Sequence, residues 1–190
     1  MNEKIILGID PGTVVMGYGV IEVSGKGIKL ICSGSIQLHL LESQAAKLHK
    51  IFERCCWMME EYKPDELSIE APFFGKNVQS MLKLGRAQGV AMAAALSKGI
   101  PVFEYSPRKI KQSIAGSGNA SKEQVAAMLA RLLQFSEMPR HLDATDALAT
   151  AVCHYFQRIP KGRKKQHSGW KSFLTENPER KMVYASPKLR

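Results

Sequence analysis

The chain predicts an α/β protein: a mixed five-stranded sheet flanked by helices. Three observations carry that reading. The first three apolar runs are joined by short connections, which implies an antiparallel meander. Two later β-type runs alternate with helix-length amphipathic segments, the pattern by which parallel strands are added to a sheet. A length of 190 residues with 45% hydrophobic content suits one well-buried domain and is short for two.

Ile5 to Asp10 is a run of β-formers, and Tyr18 to Val23 is another. "DPGT" opens the turn between them, so the pair reads as a hairpin. Ile28 to Leu38 alternates and adds a third strand through "SGKG". Ser43 to Tyr62 carries Ala46, Leu48, Ile51, Phe52, Cys55, Met58 and Met59 at helical spacing, with Pro64 helping to end it. "ELSIE" is a short strand finishing on Glu70. Residues 77 to 98 form an Ala-rich helix, in which "GVAMAAAL" suits either packing on the sheet or contact with a second subunit. "PVFEY" is the fifth strand, and "SPRKIKQSI" opens a short helix with Pro107 in its first turn. Ser121 caps a helix to about Leu133, with Glu123 in the first turn. Asp143 to Tyr155 is the last strong helix. From residue 158 periodicity is lost and charge rises, so the chain divides into a body, 1–157, and a basic, flexible tail, 158–190.

Charge points to a polyanionic partner. The net charge is +10. Residues 158–190 hold ten Lys/Arg against Glu176 and Glu179, leaving the body nearly balanced. Within the body, residues 71–122 hold eight Lys/Arg against Glu104 alone. A basic band together with a basic tail is the footprint of a nucleic-acid binder, although a charge run is also what any solvated surface shows. Ile5 to Ile9 is too short for a signal-peptide core and no stretch approaches a membrane span, so a cytoplasmic protein that makes no use of a membrane is expected. Cys32, Cys55, Cys56 and Cys153 show no CxxC spacing and read as reduced thiols. His39, His49 and His154 read as surface or helix-packing residues, and His141 as a candidate support for the nearby acids.

Those acids carry the chemistry. Asp10 and Glu70 each end an apolar strand, and in α/β sheets ligands gather beyond the carboxyl ends of parallel strands. Asp143 and Asp146, spaced i and i+3, share one helix face. Taken singly, each has a plain structural role: an Asx turn at Asp10, a lysine partner for Glu70, dipole compensation for the helical pair. Taken together, four carboxylates with no adjoining His or Cys make an all-oxygen site suited to Mg²⁺, with Mn²⁺ as a substitute. One or two such ions can drive phosphodiester hydrolysis.

"GIDPGTVVMGYGV", "SIEAPFFGKNVQSMLKLGRAQGVAMAAA", "PVFEYSPRKIKQSIAGSGNASKEQV" and "DATDALATAVCH" resemble, in order, the RuvC Holliday-junction resolvases over residues 4–156. The resemblance implies a ribonuclease H-like fold and a divalent-metal-dependent homodimer. It also implies symmetric nicking of four-way DNA junctions in recombination and repair, leaving 5′-phosphate ends, alongside a branch-migration motor. It puts the metal and catalytic acids on Asp10, Glu70, Asp143 and Asp146, and catalytic lysine character on Lys122. The aromatic that works at the junction centre falls on Phe73, with Phe74 beside it, and a phosphate-contacting lysine falls on Lys111. Lys76, Asn77, Lys83, Arg86, Arg108 and Lys109 complete the DNA-contact candidates. Pro72 stands where relatives usually carry a backbone donor, and the tail, with Trp170, Phe173 and Tyr184 among its charges, extends past the resemblance. Two other readings remain at this point. "GIDPGT" also looks like the phosphate hairpin of the actin, Hsp70 and sugar-kinase superfamily, although no second such hairpin follows. A non-catalytic junction- or RNA-binding relative is the other.

Overall fold

The computed structural model describes residues 3–72, 77–134 and 142–158, with the side chain of Leu142 excepted. Phe73, Phe74, Lys76, His141 and the tail beyond Arg158 lie outside the described residues. The order of elements is β1 (Lys4–Asp10), β2 (Val15–Ser24), β3 (Gly27–Gln37), α1 (Gln44–Tyr62), β4 (Glu66–Glu70), α2 (Val78–Ser97), β5 (Val102–Tyr105), α3 (Pro107–Ala115), α4 (Lys122–Leu133) and α5 (Leu142–Arg158). The sheet runs β3-β2-β1-β4-β5. β1–β2–β3 is the expected antiparallel meander, and β4 and β5 join in parallel. β2 begins three residues before the apolar run, because Val15, Met16 and Gly17 pair with Gln37, Ile36 and Ser35 across the ladder. α5 runs three residues past Tyr155, through Arg158.

Local chemistry sets the helix ends. Ser43, Asn77, Ser106 and Ser121 are N-caps whose side chains accept from the backbone N–H three residues on. Ser121 and Gln124 form a full capping box. α1 stops at Lys63, whose left-handed φ of 45° lets its N–H reach the Met59 carbonyl, and Pro64 follows.

The sheet buries a core on each face. On one, Leu7, Ile9, Met16, Val20, Leu67 and Ile69 meet Ile51, Cys55, Met58 and Met59 of α1 and the alanines 87, 91, 94 and 95 of α2. On the other, Ile6, Ile21 and Val23 meet α3, α4 and α5 through Ile110, Ile114, Val125, Leu129, Leu148 and Val152. All four cysteines are free, two of them fully buried.

α5 crosses the middle of the sheet unusually close. A Cβ at Gly8 would lie 2.3 Å from the Ala147 carbonyl oxygen and 2.8 Å from the Ala151 nitrogen. At Gly17 it would lie 2.0 Å from the Asp143 carbonyl oxygen. Only glycine permits backbone contact of this kind, and Ala147 and Ala151 keep the helix side of the seam equally thin. Gly8→Ala should therefore destabilise the fold by about 1–3 kcal/mol or more, since the obstacle is backbone and cannot rotate away. Gly25→Ala, where a Cβ meets nothing within 4 Å, should stay within about 0.5 kcal/mol of the parent in urea unfolding.

Candidate active site

On β4 the side-chain period of two sends Glu66, Ser68 and Glu70 to one face, and α5 covers that face. Register sets Glu70 opposite Tyr105 of β5 and Gly8 opposite Ser68, so Asp10, two residues past Gly8, emerges beside Glu70 at the carboxyl end of the sheet. α5 brings Asp146 over them. An open cleft of about 280 Å³ results, lined by Asp10, Glu70, Lys111, Lys122 and Asp146 with Pro107, Ile110, Val125 and Ala149.

The electrostatics are those of crowded acids. Burial first, then the charges of Glu70 and Asp146, push the Asp10 carboxyl up to about 8. Burial, then Asp146, pushes Glu70 up to about 7, against the pull of Lys122 and Lys111. Asp143 does not line the cleft, but its charge bears on Asp10 and Lys122. The Lys122 ammonium lies 2.5 Å from Asp146, and that hydrogen bond raises its pKa. Lys122 is the first residue of α4, where the helix dipole disfavours a cation. The ion pair with Asp146 compensates for a placement that helix chemistry alone would avoid.

Among the described residues, no three His, Cys, Asp or Glu side chains already close into a metal cage. The donor set nevertheless fits a hard divalent cation. Three acids in one cleft, two of them with carboxyls raised by burial and then by one another's charge, are all oxygen donors whose charge a cation would neutralise.

The remaining candidates divide. Lys111 joins the cleft from α3. Arg108 and Lys109 also sit on α3, and Lys83 and Arg86 on the exposed side of α2, without lining it. The Asn77 side chain is occupied as the α2 cap. His39 and His49 are exposed, and His154 is fully buried in helix packing.

His154 also belongs to a polar group that the sequence reading passed over. Its Nε2 lies 2.8 Å from Glu66, and its Nδ1 lies 2.6 Å from the Tyr105 hydroxyl. Lys4 and Arg158 reach the same Glu66 carboxylate at 2.6 and 2.5 Å. The alternation in "ELSIE", which exposes Glu66 to whatever faces Glu70, was the available signal.

The sequence profile of the family described as Crossover junction endodeoxyribonuclease RuvC matches residues 6–154. The Crossover junction endodeoxyribonuclease RuvC of Cytophaga hutchinsonii is 63% identical over 94% of this chain and 88% of its own length. That of Bacteroides fragilis is 59% identical over 95% and 97%. Among solved structures, Thermus thermophilus RuvC in complex with Holliday junction substrate superposes with a TM-score of 0.76 at 32% identity, covering 81% of this chain and 94% of the other. The yeast mitochondrial Holliday junction resolvase Ydc2, at 13% identity and a TM-score of 0.61, shares the fold. Among the described residues, no helix is long and apolar enough to cross a membrane. Matched over most of its length in both sequence and architecture, the chain belongs to the RuvC crossover junction endodeoxyribonuclease family.

Proposed function

We propose that this protein is a structure-selective endonuclease that resolves four-way DNA junctions by paired, metal-dependent phosphodiester hydrolysis, leaving 5′-phosphate ends during recombination and repair. The observation that carries it is the convergence of Asp10, Glu70 and Asp146 in one cleft between Lys111 and Lys122. A pure binder of nucleic acid gains nothing from carboxylates facing a polyanion. Asp10, Glu70 and Asp146, with Asp143 at the rim, would hold one or two divalent ions, Mg²⁺ or Mn²⁺. Such ions supply activation of water and neutralisation of charge at the phosphate.

The chain's own groups do the rest. Asp10 and Glu70, raised by burial and by the neighbouring acids, would each release a proton on taking up a cation and then serve as its ligands. The Lys122 ammonium, beside Asp146, would offset negative charge developing at the phosphate, and Lys111, lining the same cleft, would contact that phosphate. Lys83, Arg86, Arg108 and Lys109 extend positive surface for the DNA arms, Lys76 and Asn77 are further candidates for DNA contact, and Phe73 and Phe74 are the candidates for the junction centre. The tail, 158–190, adds sequence-independent phosphate contacts to a nuclease body, 1–157.

Symmetric cuts need two sites, and a two-fold dimer supplies them. Outward-facing Val78, Leu82 and Leu96 on α2, 52–64% exposed, support this helix as the self-association face, and a branch-migration motor is the expected further partner. Action on chromosomal DNA places the protein in the cytoplasm.

A synthetic mobile four-way junction incubated with protein and Mg²⁺ should yield paired nicks at symmetric positions. Equal cutting of plain duplex would contradict the proposal. Asp10→Asn and Glu70→Gln should lower nicking at least about a hundredfold, beyond the cost of losing an outer-sphere partner, with junction binding retained in gel shift. Arg86→Ala and Lys76→Ala should weaken binding and reduce its salt slope by about one each.

Metal binding should also depend on pH with a defined sign. The raised carboxyls hold protons in the folded state that the unfolded chain releases, so this stability is complete below pH 4 and declines as pH rises through about 7 to 8. A cation must displace those protons. The melting-temperature gain from Mn²⁺ should therefore grow between pH 6 and 8.5, and Asp10→Asn should flatten the trend.

A further inference from the structure

Two ends of one strand face two ends of one helix. From Glu66 to Glu70 β4 advances about 13 Å, and from Asp146 to His154 α5 advances about 12 Å in the opposite direction. The match puts Glu70 by Asp146 at one end and Glu66 by His154 at the other. The first pairing is repulsive, since the Asp146 charge raises the Glu70 pKa. The second is a saturated, directional set of bonds. Glu66 is 3% exposed and His154 0%.

A carboxylate only accepts, so Nε2 of His154 carries the proton toward Glu66, and Nδ1 is left to accept the Tyr105 hydroxyl. Burial holds the imidazole below its ordinary pKa, against the pull of Glu66, which keeps it in this neutral form. On Glu66, burial is outweighed by the bonds from Lys4 and His154, so the carboxylate stays charged. Phe103 packs against the imidazole at 4.4 Å between centroids, with the rings tilted by 32°.

Between the two ends, α5 rests on Gly8 and Gly17 through small residues. The seam permits close approach, and Leu148 seated over Gly19 interlocks with the sheet, but these are apolar contacts and none is directional. Lys122 offsets part of the acid repulsion, but it approaches from α4 and ties neither end of α5 to β4.

We propose that Glu66, His154 and Tyr105 form a register lock that holds α5 along β4 and so sets the distance of Asp146 from Glu70 and Asp10. His154 is then a positioning residue acting on the acidic cleft through about 12 Å of helix, and Tyr105, paired in register with Glu70, acts through its hydroxyl on His154. The consequence for metal rests on the function proposed above; the lock itself does not.

The test uses the full-length protein as wild type, Tyr105→Phe, His154→Phe and His154→Gln. Amide hydrogen exchange along α5 is read first, then the Mn²⁺ concentration for half-maximal nicking of a four-way junction. In the folded variants Tyr105→Phe and His154→Phe, exchange should accelerate at residues 143–149, beside the cleft, and the Mn²⁺ requirement should rise about tenfold. His154→Gln, which keeps one donor and one acceptor, should restore both readouts in part. Should His154→Phe fail to fold, Tyr105→Phe and His154→Gln together decide the matter, since both alter the His154 bonds and leave the Arg158 contact with Glu66 in place. Accelerated exchange confined to residues 150–158, or an unchanged Mn²⁺ requirement with unchanged exchange, overturns the lock. Coupled exchange in a wild-type protein that nicks nothing would support the lock and overturn the proposed function.

Discussion

The backbone of α5 lies against the backbone of β1 and β2, and nearly everything else in this molecule depends on that contact. With the Ala147 carbonyl placed where a Cβ of Gly8 would be, and the Asp143 carbonyl where one of Gly17 would be, the helix sits lower on the sheet than ordinary side chains allow. Helices usually pack about 10 Å from their neighbours because side chains stand between them. Here the helix descends far enough for a short Asp146 side chain to share a cleft with Asp10 and Glu70. Seam and cleft are two parts of one arrangement.

That descent has an electrostatic cost. Acids brought together in a half-buried cleft raise one another's pKa, and Asp10 and Glu70 carry the result. The sequence meets it locally with cations, Lys122 on Asp146 and Lys111 lining the same cleft. At a distance, the Glu66–His154–Tyr105 group binds the opposite end of the helix. A buried ion group is weak support for stability in itself, because desolvation consumes much of its Coulomb energy. Its directional bonds are better suited to specifying where a helix lies. One face of a five-residue strand thus carries both the strained and the satisfied ends of the design, with Ser68 between them donating to the Leu7 carbonyl.

Much of this was legible in the residues. Asp10 and Glu70 announced themselves as charges closing apolar strands, and the capping serines set the starts of α1, α3 and α4. Other features needed three dimensions. The ladder recruited Val15 and Met16 into β2, which no local pattern required. Asp143 and Asp146 share a helix face by spacing; Asp146 lines the cleft, and Asp143 acts on Asp10 and Lys122 through its charge. Nothing in the sequence joins Glu66 to His154, because a glutamate opening a strand and a histidine late in a helix are ordinary alone. Only sheet register and helix docking put them 2.8 Å apart. Lys122 left a trace in sequence, a lysine directly after a serine cap, where the helix dipole favours an acid.

The central claim is that the seam delivers three carboxylates to one cation. Anomalous scattering from crystals soaked in Mn²⁺ tests it most directly. A peak is expected about 2.1–2.2 Å from oxygens of Asp10, Glu70 and Asp146, with the Lys122 ammonium nearby. A well-ordered cleft with no peak, or a peak bound elsewhere while these carboxylates stay unliganded, would contradict it.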